Sequence, residues 1–142
     1  EGPKYGGRPL PEREAEAILM RLRALLAAES DLASPAVEPR RLATRLGEPY
    51  YLLSRAVNER AGMSVSDLVN EYRVERATRL LLEEPGEGIL DVALESGFQA
   101  KSTFNDVFRK RMGLSPSEYR LRNLAAQGAA TGAAGGSSKG GE

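Results

Sequence analysis

The chain has 142 residues, 28% of them charged and 41% apolar, with 20 Lys+Arg against 20 Asp+Glu. This is the make-up of one ordinary soluble domain or two very small ones, and the zero net charge excludes a strongly basic whole-chain signature, so any nucleic-acid role must come from local placement. There is no Cys and no His, which excludes thiol nucleophiles, Ser–His or Cys–His pairs, disulfides and thiolate or imidazole metal sites. No cofactor and no metal are expected, and the chain reads as a non-enzyme. The longest apolar run, Ala24 to Ala28, has five residues, far below the ~20 that cross a bilayer. No signal peptide is visible. The first residue is Glu rather than Met, so a fragment of a longer protein is expected.

Residues 1–11 are rich in Gly and Pro and read as an extended leader. Apolar residues then fall at Ala15, Ile18, Leu19, Leu22, Leu25 and Leu26, one stripe of an amphipathic helix within 12–38. Glu12, Glu14 and Glu16 sit near its start, where the helix dipole favours acid. The stripe needs a partner, either the rest of the domain or another chain. A linker over 30–39 is broken by Pro35 and Pro39. Leu occurs 19 times against nine for Val plus Ile, a balance that favours helix over sheet.

The most informative feature is an internal repeat. Arg60-Ala61-Gly62-Met63-Ser64-Val65-Ser66-Asp67-Leu68 matches Arg111-Met112-Gly113-Leu114-Ser115-Pro116-Ser117-Glu118-Tyr119 at an offset of 51 residues. In each copy Gly can end a helix. A Ser then caps the next one, with an acid three residues on. Upstream, Leu42-Ala43 precedes Gly47 and Val92-Ala93 precedes Gly97 at equal spacing. Each Gly leads into a second short helix, Tyr50 to Arg60 and Lys101 to Met112, with Leu53/Val57 matching Phe104/Phe108 as the inward pair. Helix, tight turn, helix is the helix-turn-helix pattern. Between the copies a helix over about 64–84, ended by Pro85-Gly86, spans roughly 28 Å.

Gly97-Phe98, Phe104, Phe108 and Gly113-Leu114-Ser115-Pro116-Ser117-Glu118-Tyr119-Arg120, together with Arg73-Val74-Glu75-Arg76-Ala77 and Leu80-Leu81-Leu82, resemble the DNA-binding domain of the AraC/XylS family of bacterial transcription regulators. The resemblance covers about residues 40–122. It implies an all-α fold: two helix-turn-helix subdomains joined by a long connecting helix, with an extra N-terminal amphipathic helix. The expected division is a leader (1–11), the N-terminal helix and linker (12–38), a DNA-binding domain (39–123, with units at 39–63 and 88–123) and a disordered Gly/Ala/Ser tail (124–142). It also implies sequence-specific binding of double-stranded DNA for transcription regulation, with two recognition helices in successive major grooves.

Carried over residue by residue, the resemblance puts Tyr51, Ser54 and Arg55 of the first recognition helix against bases, and Lys101, Ser102, Asn105 and Asp106 of the second. Arg55 suits guanine and Asn105 suits adenine. The plainer reading of both is a solvated surface residue. Asp106 stands where Arg is common in the family, and a carboxylate facing DNA repels phosphate, although it can accept from a cytosine amino group. Pro49 replaces a common capping Ser and Val57 a common Phe, which predicts a less well-packed first unit. Residues 101–122 hold six basic and two acidic side chains. Tyr50, Arg109, Lys110 and Arg111 are therefore the candidate phosphate contacts, the salt-sensitive part of binding.

The resemblance implies RNA polymerase and a sensor domain outside this chain as further partners. It also implies a cytoplasmic location, in the free form or as the cytoplasmic part of a membrane-anchored regulator. The rival reading is a helical protein-interaction module using the N-terminal stripe. Polar Tyr51, Ser54, Arg55, Lys101 and Asn105 argue against it, since a groove for a partner helix wants apolar faces.

Overall fold

A computed structural model describes residues 10–139, so most of the leader expected at 1–11 lies outside the described residues. Among the described residues all regular structure is helical: α1 (Glu12–Ala28), a 3-10 turn (Pro35–Val37), α2 (Pro39–Leu46), α3 (Tyr50–Ala61), α4 (Val65–Glu83), α5 (Ile89–Ser96), α6 (Lys101–Met112) and α7 (Pro116–Lys139). The chain divides into two compact units, one ending at Arg73 and the other starting at Val74. The boundary falls inside α4, whose first half serves one core and whose second half serves the other.

In the first unit α1 is built into the core. Ala15, Ile18, Leu19, Leu22 and Leu26 are all buried, and the helix packs chiefly on α3. They share one cluster with Leu32, Val37, Leu42, Ala43, Leu46, Leu53, Ala56 and Val57. The helix expected within the 12–38 segment of helix and linker, outside the 39–123 domain, thus supplies a large part of the first unit's interior, and its stripe is consumed there. Val57 is fully buried despite its modest size, as are Leu53 and Ala56. Full burial of a Leu such as Leu22 contributes about 1.5–3 kcal/mol.

The second unit is held by aromatic rings in place of a covering helix. Phe98, Phe104, Phe108 and Tyr119 form a chain with centroid spacings of 5.1, 5.5 and 5.6 Å, tilted or edge-to-face. Such pairs add about 0.5–1.5 kcal/mol each beyond their buried area. At the repeat offset, Phe104, Phe108 and Tyr119 correspond to Leu53, Val57 and Leu68. The first unit fills the matching space with smaller aliphatic groups plus α1.

Both turns of the repeat close in the same way. Gly47 (φ 71°) and Gly97 (φ 110°) adopt the left-handed conformation that a side chain resists. Around them Gly47 N–H reaches Thr44 O and Glu48 N–H reaches Ala43 O, at 3.0 and 2.9 Å. The second copy repeats this, with Gly97 N–H to Leu94 O and Phe98 N–H to Ala93 O at 3.1 and 2.9 Å. This paired closure satisfies carbonyls that a helix end would otherwise leave open.

The tail expected to be disordered covers residues 124–142. Backbone helix continues through α7 to Lys139. Residues 140–142 lie outside the described residues.

Candidate nucleic-acid interface

In the first unit the turn at Gly47 launches α3 from Pro49, which offers no side-chain cap. Its carbonyl instead accepts from Leu52 and Leu53 N–H, at 3.0 and 3.1 Å. With Leu53, Ala56 and Val57 facing inward, helical spacing turns Tyr51, Ser54 and Arg55 outward together. Tyr51 is exposed, and Ser54 and Arg55 are half-buried. Arg55 Nε donates to Glu59 Oε2 at 2.8 Å, one turn on. Tyr50 is half-buried, and the Arg40 guanidinium lies 4.4 Å from its ring centroid. The cation covers the Tyr50 ring face and leaves an exposed positive charge beside it.

In the second unit α6 turns Phe104 and Phe108 inward. Lys101, Ser102, Asp106, Arg109, Lys110 and Arg111 are exposed, and Asn105 is half-buried. Lys101, Ser102, Asn105 and Asp106 fall at spacings of three and four, so they occupy one face. Arg109, Lys110 and Arg111 form the last turn of α6, where they also complement the helix dipole. Arg111 follows the buried Phe104 and Phe108 by seven and three residues, which places it on their side of the helix, away from that face.

The excess of Arg over Lys has a structural use that composition alone does not show. Several guanidinium groups close open backbone carbonyls. Arg21 donates to Leu46 O at the end of α2, and to Glu48 at 3.0 Å. Arg45 reaches Ala36 O at 3.0 Å and Glu29 at 3.2 Å. Arg73 reaches Leu32 O at 3.2 Å, and burial lowers its pKa. Arg120 donates to Leu81 O and Glu84 O at 2.9 and 3.1 Å, sealing the end of α4. A planar fork with several donors suits this work better than an ammonium. Arg60 instead ties α3 to α1, through Glu12 at 2.7 Å and Glu16 at 3.0 Å. The Glu16 hydrogen bond, the largest influence, raises its pKa further. These arginines are spoken for by the fold.

Two compact units, each with a short helix, a Gly turn and a second helix presenting a polar face, define a double helix-turn-helix domain. A family model described as a helix-turn-helix domain matches residues 42–122, and the chain belongs to this family, in its AraC-type form. It is 31% identical over 113 residues to the HTH-type transcriptional activator RhaR of Klebsiella pneumoniae, covering 80% of this chain and 39% of that one. A DNA-binding transcriptional dual regulator of Escherichia coli K-12 superposes with a TM-score of 0.64 at 30% identity, over 74% of this chain and 96% of that structure. An AraC-type DNA-binding domain protein of Chromobacterium violaceum shares the fold at TM-score 0.66 and 22% identity, over 78% of this chain and 95% of that one. The chain spans only 22% to 39% of the length of curated relatives such as MtrA and RhaR.

Proposed function

We propose that this chain binds double-stranded DNA sequence-specifically and thereby regulates transcription, with α3 and α6 each entering one of two successive major grooves. The observation that carries the reading is the duplicated placement: Tyr51, Ser54 and Arg55 on α3, and Lys101, Ser102, Asn105 and Asp106 on α6, share outward faces of helices held by matching turns. Arg55 holds a guanine by paired hydrogen bonds and Asn105 an adenine. Asp106 accepts from a cytosine amino group. Tyr50, with Arg40 stacked on it, and Arg109, Lys110 and Arg111 meet phosphates. Membership in the AraC-type family supports the same reading, as do the DNA-binding regulators this chain is similar to.

The chain performs no catalysis in this reading. Its partners are DNA and RNA polymerase, with a sensor part outside the chain, and it works in the cytoplasm. No described helix is long and apolar enough to cross a membrane. The rival role for α1 as a docking helix has no support, since its apolar stripe is buried in the first unit.

The test is selection of bound duplexes from a random pool, followed by footprinting and a salt titration. Two protected major-groove segments about 10 base pairs apart on one DNA face are expected per chain, with affinity falling steeply as salt rises. Arg55→Ala is expected to weaken the preferred site by about 1–3 kcal/mol and relax one base position. No binding above background at low salt, or affinity that is flat with salt, overturns the proposal.

A further inference from the structure

Glu59 stands where helix electrostatics argue against it. It is two residues from the end of α3 (Tyr50–Ala61), where open carbonyls repel an anion. It follows Arg55 by one turn, and basic-then-acidic is the weaker order for such a pair. On a face that meets phosphate, its charge opposes binding as well. The equivalent pair in α6, 51 residues on, is Asp106 and Lys110, with the order reversed and the cation in the last turn, as the helix dipole prefers. Of this equivalent pair of helices α3 is the one that runs against the rule, and there the carboxylate is engaged: Arg55 Nε donates to Glu59 Oε2 at 2.8 Å.

We propose that Glu59 is a positioning residue for Arg55. It holds the guanidinium plane from one side, so that the group meets a base edge in one orientation. An isolated Arg carries large rotamer freedom, and ordering it on contact is unfavourable. A partner one turn away on the same helix does that ordering before DNA arrives. The inference rests on the base-reading role of Arg55 proposed above.

The experiment uses the full chain and, as probes, the duplex it selects from a random pool, the single-base-pair variants of that duplex, and an unrelated duplex. Arg55→Ala locates the base pair that Arg55 reads, with a loss of discrimination there of roughly five- to 150-fold. Glu59→Ala is expected to lose about threefold discrimination at that same base pair, within the range of an exposed ion pair, while binding the unrelated duplex no more weakly than the unmodified chain. Glu59→Gln, which keeps an acceptor oxygen, retains more of the discrimination. In the Arg55→Ala background, Glu59→Ala changes discrimination no further. A uniform shift on every duplex, or an equal change with and without Arg55, overturns the positioning role while leaving the reading of Arg55 intact. If Arg55→Ala relaxes no position, the base-reading role falls and the positioning role falls with it.

Discussion

Ser115 and Glu118 hold one another across the first turn of α7. Glu118 N–H donates to Ser115 Oγ at 3.1 Å, and Ser115 N–H donates to Glu118 Oε1 at 3.0 Å. In the first copy only half of this box forms, with Asp67 N–H donating to Ser64 Oγ at 3.0 Å. Aspartate is one methylene shorter than glutamate, which accounts for the missing return bond.

Ser115→Ala is therefore expected to destabilise the second unit by about 1 kcal/mol, and Ser64→Ala the first by somewhat less, in denaturant titrations. The Ser115 backbone N–H, and next its hydroxyl, hold Glu118 below the usual carboxylate pKa. A depressed folded-state pKa gives stability that is present above the unfolded value and is lost as pH falls through the folded one. The unmodified chain should lose this increment in the acid limb below about pH 4.5, and Glu118→Gln should lack it at neutral pH. Equal stability of Glu118→Gln and the unmodified chain at pH 7 would show that the carboxylate charge adds nothing to the box.

Glu87 has the opposite pH signature. Its Oε1 is shut off from solvent and has no donor, and its pKa is raised to about 7. A hydrogen bond with Glu95 is the largest cause, then desolvation, then repulsion from Glu95, Asp91 and Glu84. Two carboxylates can bond only when one is protonated. A raised folded-state pKa gives stability that is complete below the unfolded value of about 4.5 and lost as pH rises through about 7. Thermal melting should show stability declining across that window, and Glu87→Gln should flatten the decline. A profile unchanged by Glu87→Gln would exclude the shared proton.

Ser96 is fully buried and its hydroxyl has no partner. The corresponding residue beside the first-copy turn is Leu46, an apolar side chain. Removing an unsatisfied buried hydroxyl without leaving a large void is neutral or stabilising, so Ser96→Ala should raise stability by up to about 1 kcal/mol. A clear loss in chemical denaturation would show that the hydroxyl is satisfied in solution.

Asp106 and Arg109 lie one turn apart on α6, and their removal should give different binding patterns. Arg109→Ala should weaken every duplex alike and flatten the salt slope by about one unit. Asp106→Ala should weaken only the preferred site if the carboxylate accepts from cytosine, and tighten all sequences if it merely repels phosphate. No change in either measure would place Asp106 off the contact face.

Much of this fold is legible in the sequence because the repeat is punctuated by residues with narrow backbone roles. Gly47, Gly62, Gly97 and Gly113 mark helix ends by their positive φ, and Ser64 and Ser115 mark helix starts. The inward pairs Leu53/Val57 and Phe104/Phe108 follow from helical spacing and are buried. The fate of the α1 stripe was open, because an amphipathic face does not name its partner. Long-range Arg contacts were also hidden. Arg73 and Leu32 are far apart in the chain, and nothing local distinguishes an Arg that closes a carbonyl from one that meets a phosphate. For the candidate site, the outward faces of α3 and α6 could be read from spacing. The Arg40–Tyr50 stack depends on how α2 and α3 pack, which spacing leaves open.

The seating of α1 against α3 makes the first recognition helix a mechanical neighbour of the chain's N-terminal side. Glu12 and Glu16 grip Arg60 near one end of α3, and Arg21 grips the turn that starts the other. The helix that carries Tyr51 and Arg55 is thus held at both ends by side chains of α1. A chain cut at Pro39 would keep the whole matched stretch, yet it would lose Ile18, Leu19, Leu22 and Leu26 from the interior. Its recognition helix would then rest on an open apolar trough. The piece that keeps this interior closed is therefore longer at its N-terminal end than the piece that identifies the family.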